Sequence, residues 1–439
     1  MWLAGMLLLG AALAQAPLGE GEEASADGEA SVPAVDVQAP AGADAGPGDA
    51  DAELEALRVR VEVLEAMAEL DLGAPAPAPA PPPTSVGRAM QSMNPNMSLI
   101  ADFAAAYFTD EDPRMSGGHD PTANGVNLQQ LEMSLGSAVD PYFRFDGNIV
   151  FSQFGVEIEE AYGTSLGLPG RLQVRAGQFL TSFGRVNATH PHSWDFVDQT
   201  LLVGRNFGGE GNRGLGGELS WLAPLPWSVE LIGSQTMANG ASTARSFYGG
   251  QDLGVDRISD LQSTVALKQF FPLSADWSLY WGLSYAGGPN PTGSTNRSEI
   301  YGTDLYLRFF PASAASNQEL TLTLEVVQRR RQVPDDIWID HTAYAAVSHH
   351  FAPRWGWAAR HELGLGARTA AGEVPVDTLD PAWTGPRHRT SANVTFWPTE
   401  FSRLRLQGQR DGVRWEAQPE YAGFLAVEFV TGAHGAHSF

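Results

Sequence analysis

The sequence contains no cysteine, and after its first sixteen residues it contains no run of about eighteen apolar residues. The first absence excludes disulfide bonds and a lipid-modified cysteine anchor. The second argues against a transmembrane helix, but strands that cross a membrane alternate apolar and polar residues and remain compatible with it. Basic residues are also few, 27 against 51 acidic ones, and the formal net charge of −24 argues against a nucleic-acid partner.

The N-terminal part divides into two segments by composition. Residues 1–14 are apolar and end in Ala12-Leu13-Ala14, a small-x-small pattern typical of a cleaved signal peptide. Residues 15–50 are rich in Ala, Gly, Pro, Asp and Glu and hold few large apolar side chains. Such a segment cannot bury enough surface to offset the entropy of ordering it, so we expect it to be disordered.

A short helical pattern follows over residues 51–72. Its apolar residues are spaced alternately three and four apart, which is the seam of a coiled coil: Leu54, Leu57, Val61, Leu64 and Ala68. A lone amphipathic helix is the alternative, but an isolated helix of this length is only marginally stable, so self-association is favoured. Residues 73–95 form a proline-rich linker, and we place the whole N-terminal segment in the periplasm.

From residue 96 to residue 439 the sequence consists of short segments with a period of two. In Leu320–Val326, for example, Leu and Val alternate with Thr and Glu, and Phe143–Phe151 alternates in the same way. This pattern predicts an all-β domain. A soluble sandwich and a membrane barrel both produce such alternation, so the period alone does not distinguish them.

The connections between these segments do distinguish the two folds. Short turns that contain proline lie near residues 140–141, 168–170, 223–226, 272, 310–311, 352–353 and 397–398. Longer or glycine-rich loops alternate with them near residues 109–124, 154–156, 180–213, 236–260, 286–298, 329–336, 367–388 and 411–419. Short turns on one side and longer loops on the other predict a 16-stranded antiparallel transmembrane β-barrel, with 14 or 18 strands as alternatives. Aromatic residues beside the short turns fit a membrane interface.

The longest stretch without a strand pattern, Thr181–Arg213, is the third of the longer loops. A loop of this length in a compact fold is usually functional. We expect it to fold into the lumen and narrow the channel; an ordinary surface loop is the alternative. The candidate constriction residues are Arg185, His190, His192, Trp194, Asp195, Asp198 and Arg205.

His190 and His192 are the two candidates for a metal site. Imidazole and carboxylate groups bind zinc, and Asp195 is near in sequence, but a site needs three or four converging ligands. Packing or pore lining is the alternative role for this histidine pair. We therefore assign no metal site and predict no cofactor.

Charged residues at inward positions of the predicted strands would line the pore wall. They are Arg144, Arg171, Arg175, Asp304, Arg308, Arg403 and Arg405. A run of wall arginines could steer anions, but pairing between neighbouring strands would neutralise it, so ion preference stays open. No nucleophile motif, phosphate-binding loop or close pair of carboxylates stands out, and we expect a channel rather than an enzyme.

Several motifs resemble the porin families akin to phosphate-selective porins. They are the tail GAHGAHSF, the segment PNMSLIADFAAAY, and the run GVEIEEAYGTSLGLPGRLQVRAGQFLTSFGRVNATHPHSWDFVD. The resemblance implies a homotrimer of sixteen-stranded barrels with an inward third loop, and a periplasmic coiled coil in some members. The terminal Phe439 resembles the signal read by the barrel assembly machinery.

The sequence also departs from these relatives. Phosphate specialists are rich in lysine and arginine, whereas this chain is acidic. Some related chains carry names that link them to zinc regulation and TonB-dependent receptors, but we find no TonB-box-like segment and no room for a plug domain. The sequence therefore predicts a porin in outer-membrane lipid for passive diffusion of small hydrophilic solutes or ions. The alternative is a barrel with a dedicated role in metal uptake or binding, or in envelope anchoring.

Overall fold

The computed structural model describes residues 95–152, 155–237, 245–247, 255–293, 295–311, 318–381 and 383–432. They belong to one compact unit that spans Pro83–Phe439. The predicted signal peptide, acidic segment, coiled coil and linker (up to residue 94) lie outside the described residues, as does Phe439.

Sixteen strands make up the wall. The first eight are β1 (Asn96–Phe108), β2 (Gly125–Ala138), β3 (Phe143–Ser152), β4 (Gly155–Ser165), β5 (Leu172–Leu180), β6 (Arg213–Leu222), β7 (Ser228–Thr236) and β8 (Gln262–Pro272). The second eight are β9 (Trp277–Pro289), β10 (Arg297–Phe309), β11 (Glu319–Val333), β12 (Asp336–Ala352), β13 (Trp355–Gly364), β14 (Arg387–Thr399), β15 (Ser402–Val413) and β16 (Glu420–Gly432).

The sheet closes on itself without a crossover. Each strand pairs antiparallel with its neighbours in sequence, and β1 pairs with β16, where Phe103 lies opposite Val427. Closure leaves no unpaired strand edge, which is what allows a sheet to exist in lipid. The predicted fold class, a closed barrel of sixteen antiparallel strands, is confirmed.

The predicted turns and loops lie at or within two residues of a connection between two strands, with the turn at 397–398 falling at the end of β14, but one loop is much shorter than expected. Strands β11 and β12 continue to Val333 and Asp336, so only two residues remain where the sequence predicts a loop over 329–336. Asp335 has a φ of 63°, a left-handed conformation that Asp tolerates and that closes a tight hairpin. The arginines at 329–331 therefore belong to the wall.

The distribution of polarity is opposite to that of a soluble protein. Large apolar side chains such as Leu324 and Leu406 are exposed on the outside, whereas Arg329, Arg389 and Glu132 are almost completely buried inside. Strand alternation creates this arrangement, because successive side chains point to opposite faces of the sheet.

Among the described residues, four short helical segments lie in the connections. The α-helix α1 (Leu201–Phe207) is fully buried, and Thr200 caps it by accepting a hydrogen bond from the Val203 amide. The 3₁₀ segments are Pro169–Arg171, Pro191–Ser193 and Ile258–Asp260. Among the described residues no helix combines the length and the apolar character needed to cross a membrane.

Candidate functional site

The segment between β5 and β6, residues 181–212, lies inside the ring of strands; we call it the third loop. The ring of His190 lies 3.1 Å from Glu159 and 2.9 Å from Glu160, both on β4. At the other end of the loop, the carbonyl oxygen of Arg205 accepts a hydrogen bond of 3.0 Å from Arg329 on β11. Because β4 and β11 lie far apart in the ring, one segment can contact both only from within.

Two apolar clusters hold this loop against the wall. In the larger one, the loop residues Phe183, Leu202, Val203 and Phe207 pack on the inward residues Ala286, Ile300, Val327 and Tyr344, together with Phe247 from the connection between β7 and β8. The smaller one packs Val197 against Ala104, Ala106, Phe108, Ala422 and Phe424. Burying one large apolar side chain stabilises a structure by about 1.5–3 kcal/mol, so the two clusters make a substantial contribution to docking the loop.

On the side of β13 to β15, wall arginines bind the loop. The carboxylate of Asp198 lies 2.7 Å from Arg360 and 3.0 Å from Arg389, and it also accepts a hydrogen bond of 2.6 Å from Gln407. Burial would raise the pKa of Asp198, but the two guanidinium groups outweigh burial and lower it. This aspartate is therefore a charged anchor.

Two further arginines on β15 bind backbone carbonyls of the loop. Arg405 donates to the Trp194 carbonyl at 2.7 Å, and Arg403 donates to the His192 carbonyl at 2.8 Å. The neighbouring Asp195 is exposed, and its carbonyl accepts a hydrogen bond of 2.8 Å from Asn393. This side of the lumen therefore holds the loop with positive charge on the wall.

On the side of β2 to β4, wall glutamates bind loop histidines. In addition to the two contacts of His190, the ring of His192 lies 2.9 Å from Glu132 on β2. The two imidazole rings stack, with centroids 5.7 Å apart. Burial disfavours the charged form of His190, but the carboxylates, with Glu159 the strongest, raise its pKa well above the usual value.

A β-bulge explains why two consecutive glutamates reach the same histidine. In the β3–β4 register, Asn148 pairs with Glu160 and Ile149 pairs with Ile158, so Glu159 is an extra residue. A bulge changes the alternation of side chains, and both Glu159 and Glu160 therefore face the lumen. A second bulge shifts the β1–β2 register next to Asp102.

The end of α1 is anchored near the long connection between β13 and β14. Arg205 stacks over Trp383, with 3.8 Å from its guanidinium carbon to the ring centroid, and lies 3.7 Å from Asp380. Burial dominates over these partners and lowers the pKa of Arg205 to about 10. Arg205 is only 2% exposed, so it anchors the loop rather than contacting open solvent.

An open space remains beside the first part of the third loop. It is a cavity of about 450 Å³ bordered by Arg185, Glu230, Lys268 and Asp304 among others. Arg185 lies over the ring of Tyr306, 3.5 Å from its centroid, and its amide donates to Glu325. The charged residues that border this space are of both signs.

The other wall residues predicted from the sequence pair with neighbours. Arg144 lies 2.7 Å from Asp146, Arg175 lies 2.8 Å from Glu218, Arg308 lies 2.7 Å from Glu319, and Asp304 lies 3.7 Å from Lys268. Arg171 lies in the 3₁₀ turn before β5, with a φ of 63°, and not on a strand of the wall. Most of these wall charges are therefore paired with a charge of opposite sign, which is the alternative to a run of free arginines that steers anions.

Sequence reasoning missed several residues that hold the loop: Glu132, Glu160, Arg329, Arg360, Glu362 and Arg389. Period-two alternation could have found Arg360 and Glu362, which lie at alternate positions of β13. Glu160 could not be found in this way, because the bulge breaks the period.

Fold and site together define a closed barrel of sixteen antiparallel strands whose third loop lies in its interior. No family model matches the chain. A protein of Aquifex aeolicus (strain VF5), described as an uncharacterized protein, is 30% identical over 391 residues, which is 79% of this chain and 80% of that protein. The chain belongs to the same family as this Aquifex protein.

Two solved structures share the fold. The outer membrane channel DcaP of Acinetobacter baumannii has a TM-score of 0.52 at 11% identity, covering 77% of this chain and 97% of that one. OprB of Pseudomonas putida, in its high-pH structure, has a TM-score of 0.52 at 9% identity, covering 78% and 96%. At these identities the comparison shows a shared fold only. It does not test the resemblance to phosphate-selective porins, which stays a prediction.

Proposed function

We propose that this protein is an outer-membrane porin through which small hydrophilic solutes or ions diffuse passively. The observation that carries the proposal is a barrel that is apolar outside and charged inside, crossed by its own third loop. An apolar outer surface is stable in lipid, and a polar interior is stable around water. The cavity beside the loop, bordered by Arg185 and Lys268, is the start of the aqueous path.

The third loop narrows this path in our proposal. Arg185 borders the remaining space and Asp195 is exposed, so these two act on passing ions. His192, Asp198 and Arg205 are at most 7% exposed and hold the loop in place. Charges of both signs border the open space, and we therefore expect only a modest ion preference.

The trimer and the N-terminal segment belong to the proposal as well. Outer-facing strands with exposed apolar side chains can pack against lipid or against a second barrel. The predicted coiled coil over residues 51–72 would add a periplasmic contact between three chains. Phe439 would direct insertion by the barrel assembly machinery.

Single-channel recording in planar bilayers with a salt gradient tests the constriction. Removing residues 188–204 takes away most of the loop inside the barrel. We expect conductance to rise roughly twofold or more, because charged and bulky groups leave the narrowest part of the lumen. The heat-dependent shift of the folded barrel on a gel shows that the variant has assembled.

A matched control removes residues 371–376 from the connection between β13 and β14, where Val374 and Val376 are exposed. This deletion should leave conductance unchanged. Equal conductance in the parent and in a correctly folded variant without residues 188–204 would show that the third loop does not restrict the channel. A parent barrel that forms no channel at all would overturn the porin function itself.

A further inference from the structure

A second group of histidine and carboxylate side chains lies between the third loop, the wall and the loop that joins β1 to β2. His119 lies in that first loop, Glu159 on the bulge of β4, and Glu210 near the end of the third loop. One ligand atom from each of these three residues lies within 4.8 Å of the other two. All three residues border one cavity of about 20 Å³. A space of this size holds a single water molecule or ion.

The backbone holds two of these side chains at a fixed separation. His119 follows Gly118 and Glu210 follows Gly209, and the amide of Gly118 donates a hydrogen bond of 3.0 Å to the carbonyl of Gly209. A Cβ atom at position 209 would lie 2.8 Å from the backbone nitrogen of Gly118. The close approach of the two loops therefore depends on a glycine at position 209.

The polar atoms that face each other here are only loosely paired. Nε2 of His119 and Oε2 of Glu210 are buried and lie 3.4 Å apart, and neither makes a hydrogen bond of normal geometry among the described residues. Nη1 of Arg213 lies 3.8 Å from the same Glu210 oxygen. The side chain of Glu210 is 8% exposed. Buried polar atoms normally make closer contacts than these, so the long ion pair together with the small cavity and the three converging ligand atoms favours a shared ligand.

We propose that His119, Glu159 and Glu210 bind one divalent transition-metal cation. One imidazole and two carboxylates are ligands typical of zinc, cobalt and similar ions, and a water molecule would complete four-coordination. An imidazole ligand disfavours magnesium and calcium, which select oxygen ligands. The ion links the first loop, the third loop and the wall.

The His119 ring is oriented for this role by β2. It is hydrogen-bonded to the backbone of Gln129, and the Gln129 side chain donates to the His119 carbonyl at 2.9 Å. Metal-binding histidines usually have a second ring contact of this kind, which sets the tautomer and the ring orientation.

The neighbouring group of Glu132, Glu159 and His190 does not carry the same inference. Both nitrogens of the His190 ring already contact carboxylates, at 3.1 Å and 2.9 Å. A protonated His190 satisfies these carboxylates without an ion. Glu159 contacts His190 with one oxygen, and a carboxylate can bind an ion with its second.

Cobalt binding to the full-length protein tests the site. The protein is prepared without a histidine tag, treated with EDTA in detergent, and titrated with Co²⁺ at pH 8, where displacement of a proton from His119 is easier. We expect one Co²⁺ per chain that Zn²⁺ displaces and that excess Mg²⁺ does not. His119→Gln and Glu210→Gln should each weaken this binding at least about tenfold.

His341→Gln serves as the matched control, because His341 is an exposed histidine on β12. It should bind Co²⁺ like the parent, and a heat-shift gel shows that every variant is folded. Co²⁺ binding that is equal in the parent and both site variants would overturn the proposal, as would an absence of binding or displacement by Mg²⁺. None of these outcomes depends on conductance, so the porin function is tested separately.

Discussion

Two sides of the barrel interior hold the third loop with charges of opposite sign. On β13 to β15, arginines of the wall bind Asp198 and backbone carbonyls of the loop. On β2 to β4, glutamates of the wall bind His190 and His192. Along the loop, the two histidines come before Asp198. The histidines contact the glutamates of β2 to β4, and Asp198 contacts the arginines of β13 and β14.

The difference between the two sides concerns their response to pH. Arginine is a far stronger base than histidine, so the ion pairs of Asp198 with Arg360 and Arg389 persist to higher pH than any histidine contact. His190 can lose its proton, so its contacts with Glu159 and Glu160 on β4 weaken when the solution becomes alkaline. One side is a fixed anchor, and the other is an anchor that titrates.

The largest effect should follow from removing the fixed anchor. Asp198→Asn removes one of the two carboxylates that Arg360 and Arg389 share and leaves the other, Glu362, in place. Breaking a buried ion pair by removing one partner costs about 3–5 kcal/mol. Because Glu362 still pairs with both arginines, we expect a cost just below this range, which opens the loop roughly a hundredfold more often. Limited proteolysis within residues 181–212 of the folded barrel measures this opening.

Asp195→Asn is the matched control three residues earlier. Asp195 is exposed, and its carbonyl rather than its carboxylate accepts the hydrogen bond from Asn393. Its substitution should leave proteolysis unchanged and move the reversal potential slightly toward anions, because one negative charge leaves the path. Similar proteolysis rates for the two variants would refute the distinction between anchor and pore-lining residues.

A smaller effect should follow from raising the pH. The folded-state pKa of His190 lies well above its usual value, chiefly because the carboxylate of Glu159 outweighs burial. Its stabilising contribution is therefore fully present below the unfolded-state pKa of about 6.5 and is lost as the pH rises through the raised value. We expect the third loop to be cleaved severalfold faster at pH 10 than at pH 6.

The variant His190→Gln separates this effect from general alkaline loosening. Glutamine cannot carry the charge, so cleavage at pH 6 should already be faster than in the parent and should change less with pH. If the parent and the variant respond to pH equally, the β2 to β4 side does not titrate through His190.

The strand order could be predicted from the sequence because it depends on local signals. Prolines at the short turns and alternating apolar residues fix where strands end and which face is apolar. The inward position of the third loop was expected from its length, and its helix has a local signal in Thr200 followed by Leu201 and Leu202.

The charge partners could not be predicted, because they depend on register and on bulges. Glu159 and Glu160 both contact His190 only because the β3–β4 ladder skips one residue. Asp198 meets two arginines from strands more than 160 residues away in sequence. His119 and Glu210 likewise meet only when two loops fold against each other.

The smallest effect on ion preference should come from the connection between β13 and β14. From their positions in the sequence, Glu373 and Asp377 would be equivalent charges of one loop. Asp377, however, is buried, and its Oδ1 lies 3.0 Å from a guanidinium nitrogen of Arg331. Burial would raise the pKa of Asp377, yet Arg331 lowers it. Glu373 is exposed.

We therefore expect Asp377→Asn to destabilise the outer loop by about 1–3 kcal/mol, the cost of leaving a buried charged partner unsatisfied. Glu373→Gln should change stability by less than about 0.5 kcal/mol, as surface substitutions usually do. Exposed charges far from the narrowest part of the lumen are screened over about 8–10 Å, so neither variant should move the reversal potential measurably. Denaturant unfolding in detergent and bilayer recording measure the two quantities. A reversal potential that shifts as much for Glu373→Gln as for Asp195→Asn would place the selective region in the outer loops instead of the third loop.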